Sequence, residues 1–225
     1  MAELQKGTIT QGDIENEIKM AEKENREASF IRKTIQEINL SERIIKVGLN
    51  FEGAQILGNV YFSQAVICDN LNFKETRISG VLYLGESTFK GEVNCQKIYV
   101  GEVMNLIGAT IEKNINLEEA EIRGFLNFQK TDIGGNVLLK KIKVQDFKNQ
   151  SGTIKGDVYF QDARIKGFLD LEEGIISGMM DLQRVVIGGN LNLKNTSIED
   201  LLIFTNGIVK GKIQLEGLSC KEKIA

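Results

Sequence analysis

The chain has 225 residues, a formal net charge of −3 and 42% hydrophobic residues, with no His, no Trp and no Pro. That balance suits a folded soluble protein. The charge is too small for a nucleic-acid-binding face, which is usually basic, and no apolar run approaches the roughly 18 residues of a membrane span. Without histidine the chain lacks the usual general base and a leading zinc ligand.

Met1–Lys6 does not read as the opening of a signal peptide. The three cysteines, Cys68, Cys95 and Cys220, fit no CxxC pattern and read as reduced thiols, which predicts a cytoplasmic setting. Gly12–Glu37 is charge-rich and places Ile14, Ile18, Ala21 and then Ile31, Ile35 and Ile38 near a helical stripe. Asp13 is placed to cap its start, with Glu15 and Glu17 in the first turn where they suit the helix dipole.

From Arg43 to Gly217 one 11-residue unit recurs about sixteen times, as small-x-Ile-x-Gly-x-Leu-x-Leu-x-x. Clean copies are AEIRGFLNFQK (Ala120–Lys130), ARIKGFLDLEE (Ala163–Glu173) and VVIGGNLNLKN (Val185–Asn195). A fixed short period means a solenoid, in which each unit buries its apolar side only against neighbours. Positions 7 and 9 alternate with polar residues, which is strand periodicity. Position 1 is small, as in Ala54, Ala65 and Ala163, which suits a tight corner. Position 5 alternates between Gly and charged residues such as Asp69 and Asp200, which predicts an exposed corner with positive φ.

One unit cannot encircle a core, but two can. The expected fold is all-β: a right-handed, four-sided parallel β-helix of about 22 residues per coil, its strands about 4.8 Å apart. Terminal coils of such a rod must cover their strand edges, so the N-terminal helix is expected to lie over the first coil and bury Phe30 and Ile31. Residues 1–42 are then an N-terminal segment with a capping helix, 43–217 the solenoid and 218–225 a tail. Ile142–Ser151 breaks the frame by one residue and reads as a deletion, with Phe147 sliding inward. No other unit changes length, so no long loops are expected to leave the coils. The tail is too short to cap the last coil, whose edge either pairs with a second molecule or is blunted by Lys221 and Lys223.

No catalytic, cofactor-binding or metal-ligating residues emerge. The acidic pairs Glu118–Glu119 and Glu172–Glu173 sit at corners that elsewhere hold Lys140–Lys141, the pattern of a solvated edge. Position 8 is more informative. Alternate units give one column of Asn50, Asn72, Asn94 and Asn116, and another of Tyr61, Tyr83, Asn105 and Asn127. Stacked amides can hydrogen-bond along a rod, and tyrosines favour interfaces. Tyr61, Tyr83, Asn72, Asn94 and Asn116 are therefore the candidate protein-binding face.

The A-x-I-x-G and G-x-L-x-L corners, as in Ala163–Leu171, resemble those of bacterial pentapeptide-repeat proteins, although here the period alternates five and six. The resemblance implies a four-sided right-handed β-helix. Members of that family include DNA-mimicking inhibitors that protect type II topoisomerases through a strongly acidic face. A second resemblance, to polymerising bactofilin cytoskeletal proteins, rests on a β-helical core without enzyme residues. The expectation is a non-catalytic structural scaffold or protein–protein interaction module. Its partner is another protein or a second copy joined through an uncapped C-terminal coil, without cofactor, nucleic acid, membrane or small-molecule substrate. The alternative is a topoisomerase-binding modulator.

Overall fold

The computed structural model describes residues 7–150 and 152–224. One helix, α1 (Gln11–Glu24), precedes short strands, most of two residues, that wind into a β-solenoid of about nine turns at about 22 residues per coil. Each coil has four sides. The first side is a sheet of nine parallel strands running from Ala28–Ser29 to Ile213–Gln214, and the fourth has eight, from Ile44–Ile45 to Ile208–Val209. The second side starts at Thr34–Ile35 and the third at Ile38–Asn39. They merge into one sheet because Ser197–Ile203 runs round the corner between them.

The solenoid is longer than the repeat suggested. Its first coil begins at Ala28, inside the segment expected to be helical, and its last includes Ser219–Ile224, which pairs in parallel with Ser197–Ile203. The helical stripe therefore ends at Glu24, and Ile35 and Ile38 are buried strand residues. The first coil is also one residue short at the corner between its second and third sides: Ala28 and Thr34 pair 21 residues on, with Leu49 and Gln55, whereas Ile38 pairs 22 on, with Val60.

Within a strand, side chains alternate between core and surface. The coil repeat then places like on like: Leu49, Leu71 and Val93 are aligned on the first side, Ile56, Ile78 and Val100 on the second. Aromatic rings gain most from this register. Phe30, Phe51 and Phe73 stack with centroids 4.8 and 4.9 Å apart, and Phe128 lies 4.7 Å from Phe160. These distances match the spacing between neighbouring strands, about 4.8 Å, so the ladder and the ring stack reinforce one another. Small residues at position 1 let the corner close, and hydroxyls there satisfy a carbonyl: Thr76 Oγ1 donates to Phe51 O at 2.7 Å and Thr196 Oγ1 to Leu171 O at 2.9 Å.

The left-handed residue of each corner is at position 11, as in Gln64 (φ 57°), Glu75 (56°) and Lys130 (56°). This corrects the expectation for position 5, where positive φ is found at Gly124 (91°). Glycine is needed at position 5 for space. Asn or Asp at position 6 of the coil below folds up under the next coil and accepts a backbone N–H: Asn59 from Val81 (3.1 Å), Asn70 from Glu92 (2.8 Å), Asp157 from Met179 (2.8 Å). A Cβ on Gly80, Gly91 or Gly178 would collide with those carboxamides, carboxylates or their backbone. Where position 6 below is Gly48, Val81 or Met179 instead, position 5 carries Asp69, Glu102 or Asp200.

The N-terminal edge has partners for backbone groups on each of its four sides. Thr10, not Asp13, is the N-cap of α1, and the two form a reciprocal pair in which Asp13 accepts the Thr10 N–H at 2.9 Å. Ile14, Ile18 and Ala21 are buried over the first coil. Phe30 is buried by Phe51, whereas Ile31 remains 43% exposed. The free edge groups of the coil find partners one side at a time. Glu17 accepts Ser29 N–H (3.2 Å) on the first side, and Ile9 bridges Thr34 O and Gln36 N (2.8 and 3.2 Å) on the second. The Gln11 amide pairs with both backbone groups of Asn39 (2.8 and 3.0 Å) on the third, and Glu22 accepts Lys46 N–H (2.9 Å) on the fourth. Ile9 and the helix that follows it thus supply partners to the edge of the first coil on each of its four sides.

The irregular unit is an insertion and not a deletion. Glu121 pairs with Lys143, 22 residues on, but Lys143 pairs with Ile175, 32 residues on. The ten additional residues leave the rod as an antiparallel hairpin, Phe147–Asn149 with Gly152–Ile154. Phe147 does not enter the core but is half-buried in the hairpin.

Two substitutions test this packing. Phe51→Ala removes the middle ring of a three-ring stack and is expected to lower the unfolding free energy by about 3–5 kcal/mol, read from the urea midpoint. Gly80→Ala is expected to cost about 1–3 kcal/mol with Asn59 present and clearly less in an Asn59→Ala background. Equal costs in the two backgrounds would refute the steric account.

Candidate interaction surfaces

The structure divides the sequence-derived face in two. Tyr61 and Tyr83 are in register on the third side, whereas Asn72, Asn94 and Asn116 are in register on the first, the opposite wall of the coil. The asparagines are largely occupied in holding their own corners. Each Oδ1 accepts the backbone N–H two residues on: Lys74 to Asn72 at 3.0 Å, Gln96 to Asn94 at 3.1 Å, Glu118 to Asn116 at 2.8 Å. This is the local Asx geometry that Asn favours at turns. The amide ladder is present at its base, where Asn72 Nδ2 donates to Asn50 Oδ1 at 3.1 Å and Asn50 Nδ2 to Glu27 at 2.8 Å.

Along the corner after the first side, charges alternate in sign from coil to coil. Lys74 faces Glu52 (3.7 Å), Lys140 faces Glu172 (2.8 Å), Lys141 faces Glu173 (3.6 Å) and Lys194 faces Glu216 (2.8 Å). The hydrogen bond from Lys140 holds the Glu172 carboxyl below its ordinary value, and Glu172 in turn raises Lys140. Glu172 and Glu173 are thus each committed to a lysine, and the corner carries no continuous field of one sign.

The third side is different. From Asn59 to Gln129 its outward positions 6, 8 and 10 hold no charge, and they include Val81, Tyr83, Val103, Ile107 and Phe125. Tyr61, Tyr83 and Phe125 are half-buried by their neighbours along the wall. Higher on this side two carboxylates occur, both already engaged. Asp157 accepts from Tyr159 Oη at 2.8 Å, and Asp181, 2% exposed, accepts from Gln183 N–H at 2.8 Å and from the Gln161 amide. Burial, then the bond to Asp157, pushes the Tyr159 phenol up, so it stays protonated and donating. Depletion of charge with retention of aromatic residues is the composition of interface cores. Its sequence signal lay in positions 6 and 10 of alternate units, beside the position-8 column that the repeat brought to notice.

The hairpin emerges at the corner between the second and third sides, next to this uncharged wall. Asp146 clamps its base: its carboxylate accepts Gly156 N–H (3.0 Å) and the Ser177 hydroxyl (2.9 Å) and approaches Lys155 at 3.4 Å. Burial pushes that carboxyl up, but the three donors outweigh burial and hold it below its usual value.

At the C-terminal end the core lies open. Inward Ile213 and Leu215 are 48% and 46% exposed, and an apolar hollow of about 150 Å³ is lined by Leu191, Leu193, Leu202, Phe204 and these two residues. Among the described residues no group of His, Cys, Asp and Glu could hold a metal ion, and no helix is long and apolar enough to cross a membrane.

The thiols differ in environment. Cys95 is fully buried, which raises its pKa well above that of a free thiol, whereas Cys68 and Cys220 are half-buried. Since the thiolate is the reactive form, a thiol-titrating reagent is expected to modify Cys68 and Cys220 in the native protein and Cys95 only on unfolding.

No protein-family model matches this chain, and neither a curated protein nor a solved structure matches it.

Proposed function

We propose that the protein is a non-catalytic rod, a cytoplasmic scaffold or protein–protein interaction module, that holds a protein partner against its third side. The observation that carries this reading is the run of uncharged outward residues from Asn59 to Gln129, bearing Tyr61, Tyr83 and Phe125. Desolvating such a wall costs little, because no ion has to be stripped of water, and half-buried tyrosines offer area at a small entropy cost. The neighbouring hairpin supports it, since insertions into repeat arrays tend to map to the binding face. A non-catalytic role is supported by the absence of histidine and by the pairing of Glu172 and Glu173 with lysines. The likeness to pentapeptide-repeat proteins remains one of pattern. A DNA-mimic role needs a continuous acidic face, which the alternation of Glu52, Lys74, Lys140 and Glu172 does not favour.

A photo-crosslinking residue placed at Tyr83 and, separately, at Asn94 on the opposite wall tests this reading in the native host. Discrete protein adducts at position 83 and none at position 94 are expected. Equal labelling from both walls, or none from position 83, would overturn the assignment. Capture of a type II topoisomerase at either position would favour the modulator instead.

A further inference from the structure

We propose that Arg123 is the receptor for a carboxylate of the partner held on the third side, so that the segment of that protein which meets the wall is acidic. The inference rests on the binding role proposed for the wall and names the chemistry of what it holds.

Most arginines of the rod have a partner or open water. Arg26 bonds Glu17 and Glu24, Arg43 bonds Glu15, Arg184 bonds Asp162 through two nitrogens, and Arg77 lies 3.8 Å from the centre of the Tyr99 ring. Arg32 and Arg164 are exposed. Arg123 has neither arrangement. It is half-buried, its Nε is shut off from solvent, and none of its nitrogens bonds to a described residue. No carboxylate among the described residues lies within 4.0 Å of it, Glu102 and Glu121 included. A guanidinium drawn part-way out of water without an acceptor costs free energy, and such a group calls for a cause.

Its place in the fold supplies one. Arg123 ends the second-side strand Glu121–Arg123, and across the corner at Gly124 stands Phe125 of the uncharged wall. In the coil below, its place in the register is held by Gly101, which has no side chain to meet it. In the coil above it pairs with Gln145, after which the chain leaves as the hairpin. Arg123 therefore stands at the edge shared by wall and hairpin. Asp146 is already engaged by Gly156, Ser177 and Lys155, and from Phe147 to Lys155 the chain holds no acidic residue. The anion is left for the partner to supply. A carboxylate meets a guanidinium through two parallel hydrogen bonds, and one unpaired cation matches its single charge better than that of a phosphate dianion. Val103 and Phe125 alongside exclude water from the pair, the setting in which an interfacial arginine contributes most. Because Arg123 is already half out of water, binding removes little further hydration.

The crosslinking residue at Tyr83 is the reporter. In the native host, Arg123→Met is expected to lower the yield of the position-83 adduct roughly tenfold or more, and Arg123→Lys to lower it less. Purified Arg123→Met should unfold at the wild-type urea midpoint or above it, because the orphan nitrogen is gone. Mass spectrometry of the wild-type adduct should find Asp or Glu beside the crosslinked residue of the partner. If Arg123→Met fails to fold, Arg123→Gln is read in the same way. No position-83 adduct in the wild type would end the binding role and this inference together. An adduct undiminished by the substitution would overturn the inference and leave the binding role standing. Loss of the adduct with a lowered midpoint, a phosphorylated residue at the contact, or an adduct of about twice the chain mass of 25.1 kDa, which marks a second copy, would each overturn it as well.

Discussion

Everything in this molecule depends on the parallel register between successive coils. Residues 22 apart share a rung, as Leu49, Leu71 and Val93 do, so each backbone N–H, each ring and each corner device is set by what the coil below carries at the same place. The register makes identical residues neighbours and allows Phe30, Phe51 and Phe73 to stack at the ladder spacing. It also makes unlike residues interdependent. Asn at position 6 requires Gly above and to one side, and Glu at a corner is stabilised by Lys one coil on. These couplings are nearest-neighbour terms, the physical content of a one-dimensional fold.

A fold of that kind carries its liabilities at its ends, where a coil has one neighbour instead of two. The N-terminal solution uses side chains as substitutes for backbone: the Gln11 amide presents to Asn39 the donor and acceptor that another strand would offer. Carboxylates of Glu17 and Glu22 do the same for single N–H groups. The apolar stripe of α1 covers the core cross-section at the same time. Nothing comparable stands over Ile213 and Leu215 among the described residues, and the contrast gives the rod a polarity that its repeat alone does not have.

Much of this was legible in the amino-acid pattern, and the failures have physical causes. Inward columns such as Ile56–Ile78–Val100 could be read because burial tolerates few residue types, and the period repeats that choice. The first coil is hidden in the pattern because Ile35 and Ile38 fit helical spacing as well as two strands, and because that coil is one residue short. A hairpin of ten additional residues shifts an eleven-residue frame by one and so mimics a deletion, which hides a segment that leaves the rod. Position-5 glycines read as a matter of backbone conformation, because their real constraint, a side chain rising from the coil below, becomes visible only when units are compared two apart. Tyr61 and Asn72 read as one face because a linear pattern orders columns without showing that the first and third sides are opposite walls.

The same comparison two units apart separates the walls by chemistry. The corner after the first side alternates Glu and Lys, which adds small, screened increments along the rod and keeps that face hydrated. The third side gives up charge from Asn59 to Gln129, and its outward residues hold their own wall together: Asn59, Asn105 and Asn127 accept backbone N–H groups and Phe125 meets Tyr159 edge-on. Absence of charge adds nothing to those contacts, and it is this absence on which the proposed binding role rests. The position of the hairpin agrees with this, for an insertion clamped at the edge of that wall by Asp146 disturbs no ladder except at one corner. A rod that carries an uncharged wall and a clamped hairpin side by side holds the two in a fixed relation, which is what the proposed scaffold role requires.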